Sequence, residues 1–212
     1  MSYANKKLVL AQGKSKFTLQ TLGAEEFPTV APANDYPAKV TLNQKSLKHL
    51  LHLVHFAMAQ QDIRYYLNGL LLVIDQDSLK AVATDGHRLA FAAVKATDTG
   101  VNIDLKGDRQ EVIIPRKAVL ELQRLLNEND DSVTIEFANN QARFGFDQIE
   151  LLSKLIEGKF PDYQRVIPSG HTKHFTIDRD VFLGALQRAA ILTTDKFKGV
   201  RLTLASGSLR VS

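Results

Sequence analysis

The sequence predicts an α+β protein built from repeated units of antiparallel strands and amphipathic helices. Short alternating segments flank turn dipeptides such as the Asp-Gly pair at 85–86, a pattern typical of β-hairpins. Two segments, 44–59 and 116–127, space their apolar residues as amphipathic helices do. The pattern also recurs, because a Phe-Pro pair at 27–28 reappears at 160–161, 133 residues later.

The composition excludes several classes of protein. The chain has 212 residues, 44% of them hydrophobic, which is enough to bury a sizeable core. It has no cysteine, which excludes a disulfide scaffold and a cysteine nucleophile and fits a reducing cytoplasm. No signal peptide is visible and no apolar run reaches the ~20 residues of a membrane span. The net charge of +4 is compatible with a polyanionic partner without demonstrating one.

Turn residues and hydrophobic periodicity predict the order of elements. We expect strands over 7–12, 15–21, 40–42, 67–74, 79–84, 87–94, 111–114, 130–137, 141–146, 149–155 and 175–177, a hairpin over 200–212, and loops over 22–36, 97–109 and 158–170. Asn43 is expected to cap the first helix, which should reach Gln60. Pro115 is expected at the first position of the second helix. Asp178 should cap a third helix that ends near Leu192.

The repeat implies three domains. A strand followed by a capped helix at 42–43 recurs at 177–178, 135 residues later. We therefore expect the end of a first domain over 1–30, a complete middle domain over 36–167 and the start of a third over 172–212. The middle domain repeats strand and helix twice, so it is itself a duplicate. Because the last residues stop inside a predicted strand, we interpret the chain as a fragment of a longer array.

The predicted hairpin gathers polar side chains at one end of a sheet. Asp85 and Gly86 are expected to form a two-residue turn in which both take positive φ, flanked by Thr84, His87 and Arg88. Hydrolysis would need a nucleophile with a base and an orienting group, and Thr84 is a poor nucleophile. An apolar groove with a few donors binds short peptides, so we favour a peptide-binding rim over an enzyme.

The polar and aromatic connector at 61–66 has side chains that could bind a nucleic acid. Gln61, Arg64 and the tyrosine pair at 65–66 combine an amide, a cation and two rings that can lie on phosphates and stack on bases. The structural alternative, with one tyrosine in the core and Arg64 solvated, fits equally well. Basic residues at 116–117 and 196–198 could add salt-sensitive affinity.

Three histidines lie on the first predicted helix. His49 and His52, at i and i+3, can share a metal ion, but His55 is turned away from them and no carboxylate of the helix completes the set. We interpret all three as polar helix positions and expect neither a metal nor a cofactor.

Five segments resemble one known family. They read DIRYYLNG at 62–69, ATDGHRLA at 83–90, IPRK at 114–117, KLIEGKFPDY at 154–163 and KFKGVR at 196–201. In this order they closely resemble the bacterial DNA polymerase III beta subunit, the replicative sliding clamp. The resemblance implies a DNA-clamp fold with three similar domains per chain. It also implies a homodimeric ring around double-stranded DNA, with antiparallel sheets outside and pairs of helices on the inner face.

The resemblance also implies roles for single residues. A cleft that binds a hydrophobic-ended motif of the polymerase catalytic subunit and of the clamp loader matches Leu67, Thr84, Gly86, His87, Arg88, Leu89, Pro161, Arg165 and Val166. DNA-binding positions match Gln61, Tyr65, Tyr66, Arg116, Lys117, Phe197 and Lys198. Dimer-interface positions match Phe17, Leu19, Ile191 and Leu192.

Taken together, the resemblance implies a non-catalytic, cytoplasmic processivity factor of DNA replication. The rest of its peptide cleft would come from the end of the third domain, so we expect the cleft to be incomplete in this chain. An enzyme, or a stand-alone peptide-binding adaptor that uses the 84–88 hairpin, stays as the alternative.

Overall fold

The computed structural model describes residues 1–191 and 199–212. These residues form two compact units, Met1–Tyr163 and Gln164–Ser212. The first contains three antiparallel sheets and two α-helices, and the second contains one α-helix and a hairpin. Within the described part of the chain, no helix is long and apolar enough to cross a membrane.

A small antiparallel sheet opens the first unit. Its strands are β1 (Ser2–Ala4), β2 (Lys7–Gln12) and β3 (Ser15–Gln20). Gln12 pairs with Ser15 across a two-residue turn in which Gly13 has a φ of +56°, so the expected hairpin is confirmed. The short strand β1 was not predicted. It joins β2 through Asn5 and Lys6, which both take positive φ.

Two larger sheets and two helices form the rest of the first unit. The elements are β4 (Ala38–Asn43), α1 (Gln44–His52), β5 (Gly69–Asp75), β6 (Ser78–Thr84), β7 (Leu89–Lys95), β8 (Asn102–Leu105), β9 (Arg109–Pro115), α2 (Arg116–Leu125), β10 (Ser132–Phe137), β11 (Gln141–Phe146) and β12 (Ile149–Lys154). One sheet has the strand order β12-β11-β10-β4-β8 and the other β7-β6-β5-β9. A strand leads directly into a helix twice, from β4 to α1 and from β9 to α2, as the internal duplication predicts.

The main core lies between both larger sheets and both helices. Alternate strand residues face it, among them Val40 and Leu42 of β4 and Leu70 and Leu72 of β5, because side chains alternate between the two faces of a strand. The helices contribute Leu47, Leu50, Leu51, Val119, Leu122 and Leu126, at helical spacing. Since α1 and α2 contact each other and bury their apolar sides in one core, their polar sides form a single exposed layer. We call this surface the helix layer.

The four-stranded sheet is buried on its other face as well. Leu71 and Val73 of β5 and Val82 of β6 point away from the main core and form a second cluster with Phe160 and Tyr163. The chain that follows β12 therefore covers this face of the sheet. Burial on both faces explains why β5 is almost continuously apolar rather than alternating.

The second unit contains α3 (Arg179–Ala190), β13 (Leu202–Ala205) and β14 (Ser208–Val211). Asp178 caps α3 as expected, because its Oδ1 accepts hydrogen bonds from the amides of Asp180 and Val181 at 3.0 and 2.9 Å. The hairpin expected at 200–212 is confirmed. The strand expected over 175–177 is wrong, since these described residues belong to no strand. Three residues are too few for an alternating pattern to distinguish a strand from an extended loop.

The first helix is shorter than predicted. It ends at His52 rather than near Gln60, and a 3-10 turn over His55–Ala57 follows it. Val54 and Met58 are nevertheless buried in the main core. The apolar spacing therefore identified the buried residues correctly but not the change of helix type.

Three further expectations are wrong in detail. Asn43 occupies the N-cap position of α1 but makes no capping hydrogen bond; the first two helix amides, of Gln44 and Lys45, donate instead to the carbonyl oxygens of Asp131 and Asn129 at 2.8 and 3.1 Å. Pro115 is the N-cap of α2 and the last residue of β9, not the first residue of the helix. The segment 97–109 is not a loop throughout, because β8 lies within it and pairs with β4. With only four residues between polar turns, β8 gives little periodic signal.

The close approach of β5 and β9 leaves no space for a side chain at Gly69. A Cβ there would lie 2.6 Å from the carbonyl oxygen of Ile114 and 2.8 Å from Cγ2 of Ile113. We expect Gly69→Ala to lower the free energy of unfolding by about 1–3 kcal/mol, because the two strands must move apart. Urea unfolding followed by circular dichroism measures this change.

Gly145→Ala provides the matched control. Gly145 also lies within a strand, β11, but nothing is within 4 Å of its Cβ position. We expect the stability to stay the same or to rise, since alanine restricts the unfolded chain more than glycine does. Equal destabilisation by the two substitutions would contradict the close approach at Gly69.

Candidate functional site

The hairpin between β6 and β7 ends in a four-residue loop over 85–88, which we call the hairpin loop. Thr84 pairs with Leu89 in the register of the two strands. The two-residue turn expected at Asp85 and Gly86 is therefore wrong. Gly86 has a φ of +89°, whereas Asp85 is not among the residues with positive φ.

Two side chains fix the hairpin loop. Thr84 Oγ1 donates to the carbonyl oxygen of Arg88 at 2.7 Å and accepts from the amide of Gly86 at 3.0 Å. Asp85 Oδ1 accepts from the amides of His87 and Arg88 at 2.9 and 3.0 Å. The hydrogen bond from the His87 amide contributes most to a pKa of Asp85 below its ordinary value. The carboxylate is thus a cap within the loop, which favours a structural role over that of a general base.

Arg88 is held against a neighbouring turn. Its Nε donates to Asp85 Oδ2 at 3.1 Å and its Nη2 donates to the carbonyl oxygen of Phe56 at 2.7 Å. The guanidinium also lies over the Phe56 ring, 5.4 Å from its centroid, although Phe56 is 52% exposed. Sequence reasoning missed Phe56, because it lies off the apolar face that the helical spacing defines and carries no signal of its own.

The other predicted cleft positions differ in exposure. Leu67 is buried in the second cluster, and Leu89 packs against that cluster. Leu67 therefore supports the site from within the core rather than forming an open wall. Pro161 is exposed in the first unit, and Arg165 and Val166 are exposed in the second.

Two hydrogen bonds between Asp62 and Asn68 join the ends of the loop over 61–68, which we call the connector. The amide of Asp62 donates to Asn68 Oδ1 at 2.9 Å, and Asn68 Nδ2 donates to the carbonyl oxygen of Asp62 at 2.9 Å. Gln61 is exposed and takes a φ of +55°. Ile63 lies within the closed segment and is 95% exposed. The connector is therefore an ordered loop whose shape depends on polar side chains.

The two tyrosines of the connector divide between core and solvent. Tyr66 packs against the second cluster, whereas Tyr65 is largely exposed. Their rings meet edge to face with centroids 5.8 Å apart. A Cβ at Gly158 would lie 3.4 Å from the Tyr65 ring, so that ring rests against the Gly158 backbone. One tyrosine of the pair, Tyr66, thus packs against the core, as the structural alternative expected.

Arg64 is exposed, as the structural alternative has it, but it is also engaged on two sides. Its Nε and Nη2 donate to Asp62 Oδ1 and Oδ2 at 3.0 and 2.7 Å. Nη2 also donates to the carbonyl oxygen of Asp85 at 3.3 Å, which joins the connector to the hairpin loop. Hydrogen bonding from the Arg64 side chain lowers the pKa of Asp62 to about 2.

The helix layer is basic. The cations of α1 and α2 are Lys45, Lys48, Arg116, Lys117 and Arg124, against one carboxylate of these helices, Glu121. Lys45 and Lys48 also form ion pairs with Asp130 and Glu128, which follow α2, and Arg124 pairs with Glu121. Lys117 is exposed, and Arg116 Nη1 is a buried donor without a hydrogen-bond partner in the described part of the chain. Such a surface can attract phosphates without reading bases.

The histidines of the first helical region do not form a metal site. His52 and His55 have ring centroids 5.6 Å apart, and Nδ1 of His55 lies 3.1 Å from the carbonyl oxygen of His52. Residues 1–191 and 199–212 contain no group of three side chains that could hold a metal ion. His49 and His52 instead line a hollow of about 570 Å³ beside Lys45 and Lys48.

The predicted dimer-interface positions stay a prediction. Phe17 and Leu19 of β3 are exposed in the first unit, and Ile191 is exposed at the end of α3 in the second. Leu192 lies outside the described residues, as do the predicted DNA-binding residues Phe197 and Lys198.

Antiparallel sheets with strand-to-helix units repeated within the first unit define an α+β fold, and the comparisons with known proteins place it in a family. Residues 41–162 match the family model described as DNA polymerase III beta subunit, central domain, and residues 164–212 match that of its C-terminal domain. The chain belongs to the DNA polymerase III beta subunit family.

Relatives in this family align along almost the whole chain. The beta sliding clamp of Pseudomonas putida is 44% identical over 207 residues, which cover 97% of this chain and 54% of that protein. The beta sliding clamp of Escherichia coli K12 is 38% identical over 208 residues, with the same coverage. The chain thus spans about half the length of these relatives.

Solved structures of sliding clamps resemble this chain along almost its whole length. A crystal structure of the DNA polymerase III subunit beta from Pseudomonas aeruginosa matches with a TM-score of 0.87 and 42% identity, over 99% of this chain and 56% of that one. A structure of the same organism's sliding clamp bound to griselimycin has a TM-score of 0.85, 42% identity, and coverage of 99% and 55%.

Removing the hydroxyl of Thr84 is expected to loosen the hairpin loop. Thr84 is almost completely buried, and Thr84→Val would remove both of its hydrogen bonds while keeping its shape. We expect a loss of about 1–3 kcal/mol in the free energy of unfolding. Chemical denaturation measures this loss, and Thr84→Ser, which keeps the hydroxyl, should lose less than half as much. A valine variant as stable as the wild type would contradict the role of the hydroxyl.

The Asp62 carboxyl is expected to titrate near pH 2, and NMR titration of its carboxyl carbon measures this. Because the folded-state pKa lies below the unfolded value, the pairing stabilises the fold at neutral pH. This contribution is lost as the pH falls from about 4 towards 2. Arg64→Ala should return the pKa towards its ordinary value, whereas Arg124→Ala, which removes a guanidinium paired with Glu121, should not. A wild-type Asp62 that titrates near 4 would contradict the pairing with Arg64.

Proposed function

We propose that this chain acts as part of a sliding clamp, a ring that encircles duplex DNA and tethers the replicative polymerase and other replication and repair proteins. Membership of the DNA polymerase III beta subunit family supports the proposal. The basic helix layer is the observation on this chain that carries the DNA-binding part.

The helix layer suits a duplex that must slide. A closed ring holds DNA topologically, so it needs no contacts to base edges. Cations that interact with phosphates supply affinity that is independent of sequence and sensitive to salt. Lys117 and Arg116 belong to this layer, and the exposed Gln61 and Tyr65 of the connector add an amide and a ring that can lie against the backbone. Tyr66, Phe197 and Lys198 complete the proposed DNA-binding set by resemblance.

The hairpin loop suits a peptide with an apolar end. His87 and Arg88 present side-chain donors beside Leu89, and the second cluster supports them from within. We propose that the loop is one wall of a cleft that takes the hydrophobic-ended motif of the polymerase catalytic subunit and of the clamp loader. Pro161, Arg165 and Val166 belong to the proposed cleft by resemblance. Docking a polymerase there raises its effective concentration at the primer end.

The remaining parts of the proposal concern the assembly. Phe17, Leu19, Ile191 and Leu192 are proposed to contribute to a head-to-tail homodimer ring. The proposed domains are the end of a first clamp domain over 1–30, a complete middle domain over 36–167 and the start of a third over 172–212. The family is that of a non-catalytic processivity factor. We propose that the protein acts in the cytoplasm, on DNA.

Replacing Lys117 is expected to weaken binding to duplex DNA and to reduce its dependence on salt. The affinity of this chain for a 30-base-pair duplex is measured by fluorescence anisotropy at several low salt concentrations. Losing one phosphate contact should reduce the slope of log K against log [salt] by about 1. Lys117→Ala should do so equally for duplexes of different sequence, because no bases are read.

Lys39→Ala removes the same charge from the opposite surface. Lys39 is exposed on β4, and its neighbours Ala38 and Val40 face the main core. We expect this variant to bind as the wild type does. If the two variants weaken binding equally, the helix layer does not face DNA. If the wild type does not bind DNA even at low salt, a peptide-binding adaptor becomes the better description.

A further inference from the structure

We infer that Arg64 is a positioning residue that couples the DNA-facing connector to the peptide-binding hairpin loop. The inference rests on the proposed function for what the two segments bind. The physical link between the segments can be tested without any ligand.

Arg64 is the side chain that bridges the two segments. On the connector side, its guanidinium forms a two-pronged pair with the Asp62 carboxylate. On the other side, Nη2 reaches the carbonyl oxygen of Asp85. A Cβ at Gly86 would lie 3.0 Å from Nη1, so the guanidinium also lies directly against the hairpin loop.

The connector transmits any movement of Arg64 because it is hydrogen-bonded throughout. The amide of Arg64 donates to Asp62 Oδ1 at 2.8 Å, and Asp62 and Asn68 hold each other through their amide and carbonyl groups. The amide of Leu67 donates to the carbonyl oxygen of Arg64 at 2.8 Å. The amide of Asn68 donates to the carbonyl oxygen of Tyr65 at 3.0 Å, so the backbone of Tyr65 belongs to this network and its exposed ring is the group we expect to report a movement of it.

The hairpin loop is equally constrained around Asp85. Its carbonyl oxygen accepts from Arg64, and its carboxylate accepts from the amides of His87 and Arg88. Arg88 is anchored in turn on Phe56. A peptide that draws His87 or Arg88 towards itself therefore changes the position of the Asp85 carbonyl. This change reaches Tyr65 through Arg64.

A lysine cannot replace Arg64 in this role. The planar guanidinium offers several donors in a fixed fork, which can serve the Asp62 carboxylate and the Asp85 carbonyl at once. An ammonium group is a compact charge on a flexible chain, so it can pair with Asp62 but not hold both acceptors in one geometry. Arg64→Lys should therefore keep the ion pair with Asp62 but lose the hydrogen bond to the Asp85 carbonyl oxygen.

Hydrogen exchange of the free protein tests the link directly. In Arg64→Ala, we expect the amides of residues 86–88 to exchange about three- to tenfold faster, although the substitution lies 22 residues away in sequence. In Arg64→Lys, residues 86–88 should exchange as fast as in the alanine variant, whereas the amides of 62–68 stay close to wild type. Arg124→Ala, the control, should leave both segments unchanged. If exchange at 86–88 is unchanged in Arg64→Ala, or if lysine restores it fully, the inference is wrong.

A peptide titration followed at the tyrosine rings tests the functional consequence. The probe is a short synthetic peptide that ends in two leucines, and the readout is the ring resonances of Tyr65 and Tyr66. In the wild type we expect shifts at both the hairpin loop and these rings, and in Arg64→Ala only at the hairpin loop. Ring shifts that persist in Arg64→Ala would overturn the coupling. A peptide that shifts no resonance contradicts the proposed cleft, while the exchange experiment still decides the link.

Discussion

The shared core of the two helices and the two larger sheets is the constraint on which the rest of the structure depends. Leu47, Leu50 and Leu51 of α1 and Val119 and Leu122 of α2 bury their side chains in the same cluster. This burial places the apolar side of each helix in the interior, so the lysines and arginines of both helices lie on the other side, with Lys45, Lys117 and Arg124 exposed and Lys48 and Arg116 partly buried. The basic surface is therefore a consequence of helical periodicity and of a single common core.

The second core has a comparable effect on the other candidate site. It buries the far side of β5 and β6 under Phe160 and Tyr163, which anchors the chain that follows β12. Leu67 and Leu89 join this cluster from the connector and from the start of β7. The two loops proposed to bind DNA and peptide thus share one apolar support, and Arg64 adds a polar connection between them.

The sequence allowed much of the fold to be predicted, because long periodic segments carry strong signals. The second and third helices, the strands β5 to β7 and β9 to β12, and the Asp178 cap fall where spacing and turn residues indicate. The errors lie where the signal is short or where two local structures compete. Residues of α1 and of the following 3-10 turn have one apolar pattern, and β8 is too short to show alternation.

The candidate site was less predictable because its geometry depends on particular side-chain hydrogen bonds, both local and distant in sequence, that hydrophobic spacing and turn residues do not encode. The length of the hairpin loop follows from hydrogen bonds of Thr84 and Asp85 that a residue pattern does not specify. Arg64 is exposed, but its hydrogen bonds to a residue two positions away and to a backbone carbonyl 21 positions away are not encoded by any residue pattern. Phe56 was missed because its role depends on Arg88, which lies 32 residues further along the chain.

The most direct measurement for the peptide-binding claim is an amide NMR titration of this chain with a short peptide that ends in two leucines. The account predicts that the largest shifts lie in residues 84–89, around the hairpin loop. Shifts concentrated elsewhere, for example in the β2–β3 hairpin, or no shifts at millimolar peptide, would contradict it.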